Sequence, residues 1–311
     1  MADPLGILIR FALYTNLMAL FGLPLFALYA LRGGERFDNA VLPVRAATIG
    51  MGMAALALSA LSIVAMTASM AGVPLFDVDR ASVSMMINET PMGVAWQVRV
   101  GVLLLAVIAA VAFRGRAQFG GLAVIVGASA TALATLAWTG HGAANEGTVG
   151  QTQLVADIVH LLASGAWLGA LVGLAALAFR LSAATSIDEV RLVHGALEGF
   201  SLIGSVIVGL IVITGLVNGY MLVGPANLLS LPKSLYGQLL LAKLALFAAM
   251  LALAAANRWR LTPALEHAIT DGNTVSAFRL LRRSLVVETV AAVVILALVA
   301  WLGTLQPPMA G

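Results

Sequence analysis

The sequence contains no cysteine and few charged residues. Of its 311 residues, 61% are hydrophobic and 10% are charged, and the mean hydropathy is +1.02. The absence of cysteine excludes disulfides and thiolate metal ligands. The shortage of charge excludes a water-soluble fold, because a soluble domain carries about a quarter charged residues and could not hide this much apolar surface.

Eight apolar stretches are long enough to cross a bilayer as helices, for which about 20 residues suffice. Backbone polar groups in hydrocarbon must be satisfied within the protein, and these stretches lack the alternation of barrel strands. We therefore predict an all-α polytopic membrane helix bundle, with residues 1–311 forming a single transmembrane domain and no soluble domain. The predicted spans are approximately 5–31, 46–70, 93–113, 119–139, 153–179, 200–223, 235–256 and 285–304.

Arginine and lysine are unevenly distributed between the two ends of these spans. One end has only Arg80 and Lys233 in its loops, and the other collects twelve arginines. Positive residues near helix ends stay on the cytoplasmic side, so we predict that both termini are periplasmic. The net charge of +3 is thus an orientation signal and does not indicate nucleic-acid binding. The twelve are Arg32, Arg36, Arg45, Arg114, Arg116, Arg180, Arg191, Arg258, Arg260, Arg279, Arg282 and Arg283.

Polar side chains at membrane depth are costly and are usually kept for a task or a structural pairing. His141 ends the fourth span at its outer end, and Asp157 and His160 follow at i and i+3 on one face of the fifth. With a short turn between these spans, His141 and His160 could share one bound ion. Asp157 could instead hydrogen-bond an imidazole and fix its tautomer.

The opposite edge of the fifth span carries Gly165, Gly169 and Gly173. Such a series of small residues, four apart, lets a neighbouring backbone approach closely. We therefore expect another helix to pack against this edge.

Most methionines lie toward the predicted periplasmic side, among them Met66 and Met70 near the outer end of the second span. Thioether sulfur selects Cu(I), and imidazole suits both Cu(I) and Cu(II). Histidine and methionine together, without cysteine, therefore suggest a copper site outside the cytoplasm. Further outer methionines are Met85, Met86, Met92 and Met221.

Other charges within the spans complicate this interpretation. Arg99 and Lys243 lie about two helical turns from the outer side, and Glu288 lies about one turn from the cytoplasmic side. Asp157 could pair with Arg99 or Lys243, which would make it a structural residue. Asp157 and Glu288 could also carry protons.

Several motifs in order resemble the CopD copper-resistance membrane proteins, over approximately residues 135–305. The first four spans match that family only in their general character. The motifs are Gly140-His141-Gly142-Ala143-Ala144, the stretch 157–171 from Asp157 to Leu171, Phe200-Ser201, Thr214-Gly215-Leu216, the stretch 236–243 from Tyr236 to Lys243, Asn257-Arg258, and the stretch 282–288 from Arg282 to Glu288.

This resemblance implies an inner-membrane protein of eight spans, linked to copper uptake or tolerance. It also implies a separate periplasmic CopC-like copper-binding protein as partner. His141 and His160 match the family's paired histidines, and Lys243 and Glu288 match its intramembrane charges.

We therefore favour copper uptake through a periplasm-facing site of His141 and His160, assisted by Met66 or Met70. A first alternative is a membrane electron carrier with b-type haem, which would need two facing histidines. A second is a non-transporting assembly or sensing protein that binds copper proteins through the loop 71–92. The sequence has no Walker motif and no nucleophile elbow, so we do not expect an enzyme.

Overall fold

A computed structural model describes residues 4–38, 41–113, 118–139, 147–180, 187–261 and 274–308. Within these ranges the chain is mainly helical and has no strand. The helices are α1 (Pro4–Ala30), α2 (Val44–Ala71), α3 (Arg80–Glu89), α4 (Pro91–Ala112), α5 (Gln118–Ala134), α6 (Gly147–Arg180), α7 (Ile187–Val223), α8 (Leu235–Ala256) and α9 (Thr274–Leu302). Shorter 3-10 segments cover Gly33–Phe37, Leu75–Asp77, Thr135–Thr139 and Pro225–Lys233, and a π-helical turn covers Asn257–Leu261.

All of these helices except α3 are long and apolar enough to cross a membrane. This confirms the predicted all-α bundle of eight spans. The sixth and eighth spans were predicted to begin too late in the chain. The helix of the sixth span, α7, begins at Ile187, and that of the eighth, α9, begins at Thr274. The added residues of both helices include charged side chains, which an apolar-run criterion leaves out.

Helix α3 lies inside the segment 71–92 that the sequence analysis treated as a loop. Its N-cap is Asp79, whose carboxylate accepts hydrogen bonds from the Ser82 backbone N–H at 2.8 Å and the Ser82 hydroxyl at 2.7 Å. These bonds hold the pKa of Asp79 below its ordinary value, because they favour the ionised carboxylate. The cap, followed by a short amphipathic run, explains why this segment folds as a helix.

The core of the bundle is built around α1 and α6, which pack directly on each other. A Cβ placed on Gly22 would lie 2.0 Å from the Gly165 carbonyl oxygen, and one on Gly169 would lie 2.0 Å from the Gly22 carbonyl carbon. A side chain on Gly173 would overlap the Phe26 ring. The predicted close approach along this glycine edge is therefore confirmed, and α1 is the helix that approaches.

Arginines cap helix carbonyls at the end of the bundle where α1 finishes. Arg45 donates to the Ala110 carbonyl at 2.7 Å, and Arg282 donates to the Ala178 carbonyl at 2.8 Å. These contacts join the N-terminal part of one helix to the last turn of another, where carbonyls lack helical partners. We call this the arginine end of the bundle and the other the opposite end. The arginine end is the one that the distribution of charge predicts to be cytoplasmic.

Candidate functional site

Two pairs of polar side chains join α6 to α7 within otherwise apolar spans. The Asn218 side-chain amide donates to Asp157 Oδ1 at 2.7 Å, and His160 Nδ1 lies 2.9 Å from Thr214 Oγ1. Asp157 and His160 are one turn apart on α6, and Thr214 and Asn218 are one turn apart on α7. The two helices therefore present matching polar faces, which we call the polar ladder: Asp157, His160, Thr214 and Asn218.

The hydrogen bond to Thr214 assigns the tautomer of His160. The Thr214 hydroxyl donates its single hydrogen to the Leu210 carbonyl at 2.6 Å. With its hydrogen on that carbonyl, Thr214 Oγ1 is left to accept from His160, which corresponds to the tautomer with the proton on Nδ1. A neutral imidazole protonated at Nδ1 keeps its lone pair at Nε2, which is the nitrogen that can bind a metal ion.

A second polar feature of the ladder is an oxygen that has no donor. Asn218 Oδ1 is buried and has no hydrogen-bond partner among the residues that the structure describes. The same amide group donates to Asp157, so this oxygen lies beside the carboxylate. Lys243 on α8 lies in electrostatic range of Asp157 and of His160, and Tyr236 lies in range of Asp157.

The ladder lies deep within the spans. Thr214 is about 14 Å along the helix axis from Val223, the last residue of α7. Lys243 is about 12 Å from Leu235, the first residue of α8. A hydrocarbon core is roughly 30 Å thick, so this depth places the His160–Thr214 pair near its middle, measured from the opposite end.

His141 lies outside the described residues, so the predicted pairing of His141 with His160 stays a prediction. Met66 and Met70 are near the last residues of α2, with Met66 half-buried and Met70 65% exposed. Helix α2 packs mainly against α1, α3 and α4, whereas α6 packs mainly against α1, α7 and α9. The structure therefore does not bring the two methionines together with His160.

Arg99 does not use Asp157 as its partner. Its side chain is 2% exposed, and Nε donates to the Thr135 hydroxyl at 2.8 Å. Its Nη2 is buried without a hydrogen-bond partner among the residues described. The sequence left Arg99 and Lys243 open as partners of Asp157. Arg99 is engaged with Thr135, and Lys243 is the cation in electrostatic range of Asp157.

Glu288 lies on α9 toward the arginine end, away from the ladder. It is 3% exposed and accepts hydrogen bonds from the Asn257 amide and, at 3.3 Å, from the Ser284 hydroxyl. Asn257 begins the π-helical turn that follows α8. Glu288 therefore ties α9 to the end of α8, a role that the sequence analysis did not assign to it.

Within the described ranges, no three His, Asp or Glu side chains converge as a set that could hold a metal ion. The ladder contributes one imidazole nitrogen and the oxygens of Asp157 and Asn218. Thr214 and Asn218 were not among the site residues predicted from the sequence. Their signal was a pair of polar residues at i and i+4 in an apolar span, a spacing that matches Asp157 and His160.

Two family models match the chain. The model described as Copper resistance protein D-like, N-terminal domain, matches residues 1–151, and the model described as Copper resistance protein D matches residues 194–302. The first match includes the first four spans, where the motifs gave only a general likeness. Thr214, Asn218 and Lys243 lie in the second match.

Two relatives carry names that refer to copper. The chain is 45% identical over 309 residues to Copper resistance protein D of Pseudomonas syringae pv. tomato, covering 99% of both chains. It is 37% identical over 120 residues to Copper transport protein CutJ of Bacillus subtilis (strain 168), covering 38% of this chain and 21% of that protein. No solved structure matches the chain.

Proposed function

The chain belongs to the copper resistance protein D family, and from this premise we propose that it takes up copper across the inner membrane. The observation that carries the proposal is the polar ladder at membrane depth. There, the bond from His160 Nδ1 to Thr214 leaves Nε2 as a metal-binding nitrogen. Copper is the substrate in this proposal, and the ladder is its proposed binding site within the membrane.

His160 is the central ligand of the proposed copper-binding site, and His141 is the predicted second imidazole ligand. The other described histidine, His194, lies on α7 about 30 Å along the helix axis from Thr214. It is therefore too far away to act as a second axial ligand for haem at His160, so a haem site, like the proposed copper site, would need His141 as the second imidazole. Met70, which is exposed at the opposite end, is proposed to contact the ion before it reaches the ladder.

A periplasmic CopC-like protein is the proposed donor of the copper. In this proposal copper reaches the polar ladder from the opposite end, which the charge distribution predicts to be periplasmic. A donor that docks at this end would release its ion above Asp157 and Asn218. Transport is proposed to be passive or coupled to ions, since the sequence has no Walker motif.

The test is copper accumulation in intact cells that express the wild type or variants to equal membrane levels. His160→Ala is expected to reduce accumulation to the level of cells without the protein, because it removes Nε2. His194→Ala is the matched control, since it deletes an imidazole near the arginine end, and it is expected to behave like the wild type.

Copper bound to the purified protein gives an independent measurement. The wild type is expected to retain copper, and the double variant His141→Ala with His160→Ala is expected to lose it. Equal stoichiometry together with equal accumulation in the wild type and the double variant would reject copper uptake through these histidines.

A further inference from the structure

Three acceptor groups of the polar ladder lie within about one helical turn of one another where α6 faces α7. The first is the buried Asn218 Oδ1, which has no donor in the described part of the chain. The second is the Asp157 carboxylate, which the Asn218 amide holds through Oδ1 at 2.7 Å. The third is His160 Nε2, one helical turn deeper. A buried oxygen without a donor, placed beside a carboxylate, is costly unless a cation satisfies both.

The hydrogen bond between Asn218 and Asp157 positions both groups. Because Nδ2 and Oδ1 belong to one planar amide, fixing Nδ2 on the carboxylate also fixes the direction of Oδ1. Thr214 fixes the His160 ring in the same way from the same helix. The ladder is thus organised before any ion arrives, as a binding site of oriented side chains requires.

We propose that Asp157 and Asn218 supply oxygen ligands beside His160 Nε2, and that the ion taken there is Cu(II) rather than Cu(I). This inference rests on the proposed copper uptake and specifies the oxidation state of its substrate. Carboxylate and amide oxygens are hard donors, and imidazole serves either oxidation state, whereas Cu(I) is selected by thioether sulfur. Met66 and Met70, which could supply sulfur, lie on α2, away from this site.

One methionine requires a separate control. Met221 is half-buried on α7, one turn beyond Asn218 toward the opposite end. If its sulfur were a ligand of the ladder, the site would accept Cu(I). The variant Met221→Leu, which conserves volume, therefore tests the oxidation state directly.

The experiment uses the full chain, purified in detergent and freed of copper. Cu(II) is titrated in competition with a chelator of known affinity, and its electron paramagnetic resonance spectrum reports the ligands. In parallel, Cu(I) is titrated under ascorbate with a Cu(I)-specific chromophoric chelator. The wild type is expected to hold one equivalent of Cu(II), with hyperfine coupling to nitrogen, and to bind Cu(I) at least tenfold more weakly.

Two variants test the oxygen ligands. Asp157→Asn keeps the shape and the contact with Asn218 but removes the charge, and Asn218→Leu removes the amide. Each is expected to lower Cu(II) affinity at least tenfold, whereas Met221→Leu is expected to leave it unchanged. Circular dichroism and gel filtration verify folding, and the isosteric Asp157→Asn decides the outcome if Asn218→Leu does not fold.

Failure of this inference is distinguishable from failure of copper uptake. Tight Cu(I) binding that Met221→Leu abolishes, or unchanged Cu(II) affinity in Asp157→Asn, would overturn the oxygen-ligand proposal. In either case, loss of cellular copper accumulation in His160→Ala would still support uptake. Accumulation that is independent of His160 would instead reject the uptake proposal itself.

Discussion

The two faces of α6 differ in how they hold their neighbours. On one face, Gly165 and Gly169 meet Gly22 of α1 in direct backbone contact. On the other, Asp157 and His160 reach α7 through side-chain hydrogen bonds of 2.7 and 2.9 Å. The first face uses close packing, which depends on the absence of side chains, and the second uses polar groups, which depends on their exact chemistry.

This difference separates stability from function within one helix. Close contact in a membrane is gained through dispersion and small residues, because lipid provides no hydrophobic drive for helices to associate. Polar groups at depth add little to helix association, about 0.6 kcal/mol per hydrogen bond on average in one well-studied membrane protein. We therefore expect the glycine face to contribute more to stability than the polar face, which we propose is kept for the ion.

The largest expected effect comes from filling the glycine face. Gly169→Ala places a methyl group against the Gly22 backbone, so α1 and α6 must separate, at a cost of about 1–3 kcal/mol or more. Gly209→Ala on α7 is the matched control, because its Cβ would meet no atom within 4 Å. Thermal unfolding in detergent, followed by fluorescence or by aggregation, measures the difference. A destabilisation of equal size in the two variants would show that the contact with Gly22 is not what makes Gly169→Ala costly, because helix propensity alone favours alanine over glycine.

The second effect concerns the polar face. Thr214→Val removes the acceptor for His160 Nδ1 and frees the ring to change tautomer, so copper affinity is expected to fall about 10- to 100-fold. Thr214→Ser keeps the hydroxyl and is expected to restore most of that affinity. Titration of the purified variants with copper checks both values. If Val and Ser behave alike, the hydroxyl does not position His160.

A smaller effect of opposite sign is expected from Lys243. Its ammonium lies in electrostatic range of His160 and Asp157, so it repels a cation bound there. Lys243→Gln is therefore expected to strengthen copper binding by about 3- to 10-fold. The same titration measures this change, and weaker binding would show that Lys243 assists the site, for example by holding Asp157 in place.

The smallest effect is expected at the methionines of α2. Because α2 packs mainly against α1, α3 and α4, Met66→Leu combined with Met70→Leu should leave the copper affinity of the ladder within about twofold. The initial rate of copper accumulation is expected to fall modestly, since Met70 is the proposed first contact. A loss of affinity comparable to that of Thr214→Val would place these sulfurs in the site.

The spans were predictable because bilayer thickness sets a length that apolar runs reveal directly. Helix ends were less so, since α7 and α9 continue into charged sequence where hydropathy carries no signal. Helix α3 was missed although its cap was visible, with Asp79 three residues before Ser82. Short capped helices at a membrane surface need a search for caps in addition to hydropathy.

The site was predictable on α6 and not across helices. Asp157, His160 and the glycine series were apparent from the periodicity of one helix, and the glycine contact is confirmed. The partners Thr214 and Asn218 could not be assigned, because helical periodicity gives the face of each helix but not which helix faces it. For the same reason the sequence grouped Met66 and Met70 with His160, although they share only the same end of the bundle.

The glycine contact also bears on the copper passage that we propose, because it limits which helices can move. Because the backbones of α1 and α6 are in direct contact, we expect α6 to stay fixed relative to α1. Of the eight spans, α6 is the most enclosed by the rest of the protein and α8 is the least enclosed. We infer that a gate in the proposed copper passage would open by displacement of α8, which would carry Lys243 away from the ladder. Since the native chain is free of thiols, a cysteine pair introduced across either boundary can be cross-linked without background. Tethering α1 to α6 should leave copper flux intact, and tethering α8 to α9 should stop it.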